Sequence, residues 1–222
     1  MSVFIYNSIN DNNTKSPNYD LTNQKEINEI EHSDTKIKYD QSLASTGWTA
    51  LYDTHKNQRC YMTHDDYYSI KNSYGNLKDE YSYLIPLGMV IKYHGANIIW
   101  GFAGVESVNW KDAHDYVNSF SPDGQRWRLI SKIEATAINT KHYDFSKHFE
   151  SYYPNDLSYL GSYLSIETWT SEQSDEVWTR RSDGRNFNKV YTLDIYGDDS
   201  KIQHEYTTCE SDRHNVYPIS TL

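Results

Sequence analysis

Cysteine, proline and methionine are scarce in this chain, with two, five and three copies in 222 residues. Cys60 and Cys209 alone exclude a disulfide-dense scaffold, and neither has a second cysteine near it to build a thiolate metal site. The two fit one bridge closing a loop of about 150 residues, worth roughly 5 kcal/mol in the chain-entropy model, or two buried thiols; both readings stay open. Positive charge is in deficit, 21 Lys and Arg against 31 Asp and Glu, for a formal net charge of −10. Such a surface repels a phosphate backbone, so nucleic acid is not an expected partner. Long apolar runs are missing: YLIPLGMVIKYHGANIIWGFAGV (83–105) is broken by Pro86, Lys92 and His94. It falls short of the roughly 18 apolar residues that a membrane span needs. The opening MSVFIYNSINDNN has no basic n-region and one short apolar patch, so no cleaved secretory signal is expected. The chain then stays inside the cell, or leaves by a route that needs no cleaved signal. Also missing are a GxSxG elbow, a phosphate-binding glycine loop and a dinucleotide fingerprint, so no cofactor is expected.

Tyrosine, by contrast, is abundant. Eleven of the 21 copies gather in CYMTHDDYYSIKNSYGNLKDEYSY (60–83) and HYDFSKHFESYYPNDLSYLGSY (142–163). Tyrosine offers rigid amphipathic contact area with few torsions to freeze, which suits recognition loops, and it is equally at home on β-strands. If the pairs Tyr67-Tyr68 and Tyr152-Tyr153 sit on strands, one ring of each faces outward.

Residues 1–41 are rich in asparagine and charge and thin in aliphatics, and read as a polar arm with one weak helix around Gln24 to His32. Residues 42–222 read as one domain. GWTALYD, RCYMTH and YLIPLGMVIKYHG are strands punctuated by Gly, Asn and Asp. In NWKDAHDYVNSF, Trp110, Ala113, Tyr116, Val117 and Phe120 recur on one face of a helix, with Asn109 as N-cap and Asp112 in the first turn; SPDG stops it. Ser131 followed by Glu134 is a capping box that starts a second helix at Lys132, expected to bury Ile133, Ala137 and Ile138. Trp127 and Leu129 lie in the extended segment before it. SIETWTSE, KVYTLDIYG and KIQHEYTTCES alternate as antiparallel strands, the last two joined at Gly197-Asp198-Asp199. Helices followed by short strands predict an α+β fold with antiparallel sheet.

Catalytic and metal chemistry has few candidates. THDDYY sets His64 beside Asp65 and Asp66, and KHYDFSKHF offers His142, Asp144 and His148, yet neither spacing matches a metal-binding helix. Carboxylate pairs for glycoside chemistry can be drawn from Glu134, Glu167, Glu172, Asp175 and Glu176, but 31 acids supply such pairs by chance. YPNDLS (153–158) and GDDS (197–200) hold calcium-type oxygens without a full ligand set, and turn formation explains both.

Several segments, taken in order, resemble the C-type-lectin-like domains of bacterial surface proteins, including the tip domains of intimin- and invasin-type adhesins. The residues that carry the resemblance are Trp110, Asp112, Ala113, Trp127, Arg128, Leu129, Glu134, Trp169, Thr170, Ser171 and Cys209, over roughly residues 105–212. Ile130-Ser131 stands where that family has Pro-Thr, Ala135 where it has Leu, and its calcium-lectin sugar motifs are absent. The resemblance implies a C-type-lectin-like fold with two helices and short antiparallel sheets. Trp110, Trp127, Arg128, Leu129, Ser131, Glu134, Trp169 and Cys209 would then be scaffold. It implies a non-enzymatic recognition module, adhesin-like or effector-like, that binds a host or bacterial partner protein, or a glycan, through aromatic loops. Tyr143, Tyr152, Tyr153, Tyr159, Tyr163, Trp178 and Arg180 are the candidate contacts. The competing readings are an intracellular toxin or effector component or its neutralising partner, and a hydrolase using His64 and Asp65.

Overall fold

Asp53 sets the first hairpin. Its Oδ1 accepts the backbone N–H groups of His55 and Lys56, each at 2.9 Å, closing the turn between β1 (Thr49–Asp53) and β2 (Gln58–Met62). The structure is a computed structural model and describes residues 36–102, 104–139, 165–196, 206–209 and 212–222. The weak helix expected around Gln24 to His32 lies outside the described residues. β3 (Leu84–Tyr93) and β4 (Ala96–Gly101) extend the first hairpin, and β10 (Ile219–Thr221) closes the far edge, in the order β10-β4-β3-β1-β2 with every pair antiparallel. β3 is central yet carries Pro86, which lacks a donor. Its pairing with β4 begins only at Gly88, and the register against β1 slips between Ala50 and Leu51, so Pro86 sits at a bulge with one side open.

This sheet is covered on both faces, which is why β3 and β4 read as nearly unbroken apolar runs. One face presents Leu51, Cys60, Met62, Met89, Ile91, Ile98 and Trp100. The other presents Ala50, Tyr61, Val90 and Ile99 to Trp127. Cys60 is a free, buried thiol whose pKa burial pushes up to about 12.

A second sheet has the order β5-β9-β6-β7-β8, from β5 (Val105–Val108), β6 (Ser165–Thr179), β7 (Asn186–Tyr196), β8 (Tyr206–Cys209) and β9 (His214–Val216). It is antiparallel except for β6 beside β9. The fold class is α+β, as composition and pattern predict. Of the expected C-terminal strands, SIETWTSE and KVYTLDIYG pair as β6 and β7, and β8 adds to β7 through Lys189 and Cys209. The Gly197-Asp198-Asp199 turn lies outside the described residues.

Three α-helices are described. α2 (Trp110–Ser119) is capped by Asn109, whose side chain accepts the Asp112 N–H at 2.9 Å, and it buries Ala113 and Val117. α3 (Lys132–Asn139) buries Ala135, Ala137 and Ile138. Ile133 departs from expectation: it overhangs the β3–β4 turn near Gly95 and is 73% exposed. α1 (His64–Ser69) is not expected from the sequence, which reads there as a cluster of His and Asp. Thr63 and Asp66 form a reciprocal cap, Asp66 N–H to Thr63 Oγ1 at 3.1 Å and Thr63 Oγ1 to Asp66 Oδ2 at 2.7 Å. Tyr67 is buried and Tyr68 exposed because successive side chains on a helix are turned about 100° from one another. Residues 36–41 run beside β2, where Ile37 is buried and Lys38 bridges Tyr61. Among the described residues no helix is long and apolar enough to cross a membrane.

Gly88 and Gly101 face one another where β3 meets β4. A Cβ on Gly88 would lie 2.1 Å from the Trp100 carbonyl oxygen and 2.9 Å from Gly101 Cα, both backbone atoms that cannot swing aside. Gly88→Ala is expected to destabilise the fold by about 3 kcal/mol or more, read as a fall in the urea midpoint at unchanged slope; a wild-type midpoint would contradict this packing.

Candidate functional site

Three places bring functional side chains together: the clamp at 127–134, the distal β6–β7 hairpin, and a groove beside β2. In the clamp, Arg128 exchanges backbone hydrogen bonds with Ile219 of the first sheet, N–H to O at 2.8 Å and the return at 2.7 Å. Two residues on, the Ile130 carbonyl accepts the Ser171 N–H of the second sheet at 2.8 Å. Glu134 ties this segment down. Its Oε1 accepts Arg128 Nη2 at 2.6 Å, and its Oε2 accepts Arg128 Nη1 at 2.7 Å, the Ser131 hydroxyl at 2.7 Å and the Ser131 N–H at 2.9 Å. Burial alone would raise the Glu134 pKa, but these donors outweigh it and hold the carboxyl below its ordinary value. The Lys132 N–H, left over at the helix start, is taken by Glu172 Oε2 at 2.8 Å.

Of the scaffold residues named from the sequence, Arg128, Ser131 and Glu134 form the clamp, and Trp110, Leu129 and Trp169 share one apolar cluster beside it. Trp127 and Leu129 are both buried, and Trp169 is fully so. Trp110 donates its indole N–H to the Thr170 carbonyl and Trp169 donates its own to the Val108 carbonyl, each at 2.8 Å, which staples α2 and the end of β5 to β6. Cys209 lies on β8 opposite Lys189. Glu134 and Glu172 are committed to the clamp, and Glu176 accepts Lys189 Nζ at 2.7 Å.

Of the candidate contacts, Tyr143, Tyr152, Tyr153, Tyr159 and Tyr163 lie outside the described residues, as do His142, Asp144, His148 and the two calcium-type turns. Trp178 and Arg180 fall together at the end of the β6–β7 hairpin. β6 slips register against β7 twice, between Trp169 and Gln173 and between Gln173 and Val177. Such bulges twist a strand and re-aim its outer end. Beyond them Trp178 pairs with Phe187, ring centroids 5.6 Å apart, and the Arg180 guanidinium stands 5.3 Å over the Phe187 ring. Trp178 remains 41% exposed and Val177 54%. The turn is closed by Arg180 N–H to the Arg185 carbonyl at 2.8 Å and by ion pairs of Asp183 with Arg180 and Arg185.

The groove has a volume of about 820 Å³ and is lined by residues 39–41, 52, 57–59, 61, 123–125 and 221–222. Arg59 and Asp123 form its floor. Arg59 donates Nε to Asp123 Oδ2 at 2.6 Å, Nη1 to the Thr221 carbonyl at 2.7 Å and Nη2 to Ser220 Oγ at 2.7 Å. Asp123 Oδ1 also accepts the Trp127 indole N–H at 2.9 Å, so the floor is locked to the clamp. From sequence, Asp123 has a role only in stopping α2. No local pattern announces the groove, because it is closed by contacts such as Arg59 to Thr221, 162 positions apart. His64 and Asp65 lie on α1 and are not among the groove residues. Among the described residues no three His, Cys, Asp or Glu are grouped so as to hold a metal ion.

Neither known protein-family models nor curated proteins match this sequence.

Because the folded Glu134 pKa lies below its unfolded value, its stabilisation is fully present above 4.5, the ordinary glutamate value, and is lost as pH falls through the folded value. Glu134→Gln is expected to cost about 2–3 kcal/mol at neutral pH. In urea unfolding, the gap between variant and wild type closes as pH falls from about 7 to about 3; a gap that is constant with pH would contradict the charged clamp.

Proposed function

We propose that this chain is a non-enzymatic recognition module with a C-type-lectin-like body, adhesin-like or effector-like, and that it engages a partner protein through the distal β6–β7 hairpin. The observation that carries this reading is the exposed Trp178 ring paired with half-buried Phe187, over which the Arg180 guanidinium is laid. Val177 beside Trp178 is exposed as well, and Trp and Arg are the side chains that most often dominate binding energy. The Trp110–Trp169 staple and the clamp support the lectin-like part, since the motif residues of the resemblance meet in one body. Arg180, Arg181 and Arg185 surround a single acid, Asp183, so the tip is positive on a chain of net charge −10. The partner face would present carboxylates around an apolar recess.

The test uses the full chain as bait and compares it with Trp178→Ala/Arg180→Ala. The double variant is expected to keep its thermal midpoint, because the hairpin end is outside the cores. It is expected to lose at least about a hundredfold in affinity for the retained partner, with further weakening of the wild type in high salt. Equal retention by both proteins would overturn the assignment of this surface.

A further inference from the structure

The groove beside β2 is built from side chains that the fold does not use up. Gln41, Gln58 and Gln125 ring its mouth, all exposed, and their amide groups form no hydrogen bond within the described residues. Tyr39 and Tyr52 are half-buried in its wall. Both rings are held rigidly, since Tyr39 donates its hydroxyl to Asp53 Oδ2 at 2.7 Å and Tyr52 donates its own to Asn57 Oδ1. Asn57 itself sits in the left-handed region at φ 55, fixed by the β1–β2 turn. The site is therefore shaped before any ligand arrives.

The chemistry narrows the occupant. Among the groove's lining residues an anion finds no spare cation, because Arg59 has all three nitrogens engaged with Asp123, Thr221 and Ser220, and Asp40 adds negative charge at the rim; Lys56, outside the lining, is drawn over the Tyr39 ring at 4.0 Å. An apolar ligand would strip water from three amides and return nothing to them. A sugar meets both demands: each hydroxyl donates and accepts, as a primary amide does, and the C–H face of a pyranose lies against a tyrosine ring. The volume, about 820 Å³, is in the range of small-ligand sites.

We infer that the groove between β2 and the 123–125 turn is a binding site for a neutral oligosaccharide, independent of calcium and separate from the β6–β7 hairpin. Tyr52 supplies the stacking surface, Gln58 and Gln125 bind hydroxyls, and the Arg59–Asp123 pair holds the floor without touching the ligand as a free charge. This site does not depend on the protein-binding role of the hairpin, and the two are separated by their variants.

The experiment screens the full chain, in EDTA, on an array of neutral and acidic glycans, then titrates the best neutral binder by calorimetry. Gln58→Ala and Gln125→Ala, both exposed positions, are expected to keep the wild-type thermal midpoint and to weaken that binding about tenfold each. Tyr52→Ala weakens it further, and Trp178→Ala leaves it unchanged. Three results would each overturn the inference: no neutral glycan retained with titration up to about 10 mM, retention of acidic glycans only, or neutral binding that the glutamine variants leave intact. A loss of glycan binding in Trp178→Ala with none in Gln58→Ala would move the sugar site to the hairpin.

Discussion

Everything distinctive in this fold passes through eight residues, 127–134, and through the carboxylate that holds them. Arg128 hydrogen-bonds to the first sheet, Ile130 to the second, and Glu134 binds the Arg128 guanidinium while capping the helix that packs between them. A planar guanidinium against a carboxylate fixes angle as well as distance, so the pair sets the orientation of the segment and not only its position. The charge is tolerable in a half-buried place because every Glu134 contact comes from a donor, and the carboxyl stays ionised.

The two proposed recognition surfaces extend from this anchor by different routes. On one side, Trp127 passes the constraint through Asp123 to Arg59, which makes the groove floor stiff although its walls come from distant parts of the chain. On the other, Trp169 is buried at the root of β6, and the strand beyond it leaves the core through two bulges before presenting Trp178. The root is rigid and the end is exposed. Binding through such an arrangement loses little conformational entropy, since the side chains that would meet a partner are already backed by Phe187 and by the Asp183 turn.

Local signals are legible in the sequence wherever one segment contains its own reason for folding. Asn109 and Asp112 cap α2, Ser131 and Glu134 cap α3, and Ala113 and Val117 are buried on the helix face that the period predicts. α1 is illegible because six residues are too few for a period to show, and His64 beside Asp65 and Asp66 looks like acid chemistry until the helix supplies the amide that Thr63 caps. Ile133 escapes the pattern because periodicity gives a face but not where the covering sheet ends. The groove lies beyond reach for a different reason: Arg59 on β2, Ser220 on β10 and Asp123 in the turn after α2 become neighbours only after the first sheet has formed and that turn has docked on it.

If residues 127–134 join the sheets into one cooperative unit, native-state hydrogen exchange reports it directly. The account predicts that the amides of Arg128 and Ile219, in contact with the first sheet, and of Ser171 in the second exchange with one common opening free energy, and that Glu134→Gln lowers all three by the same amount. Separate opening free energies for the two sheets, with Glu134→Gln lowering only one of them, would contradict it.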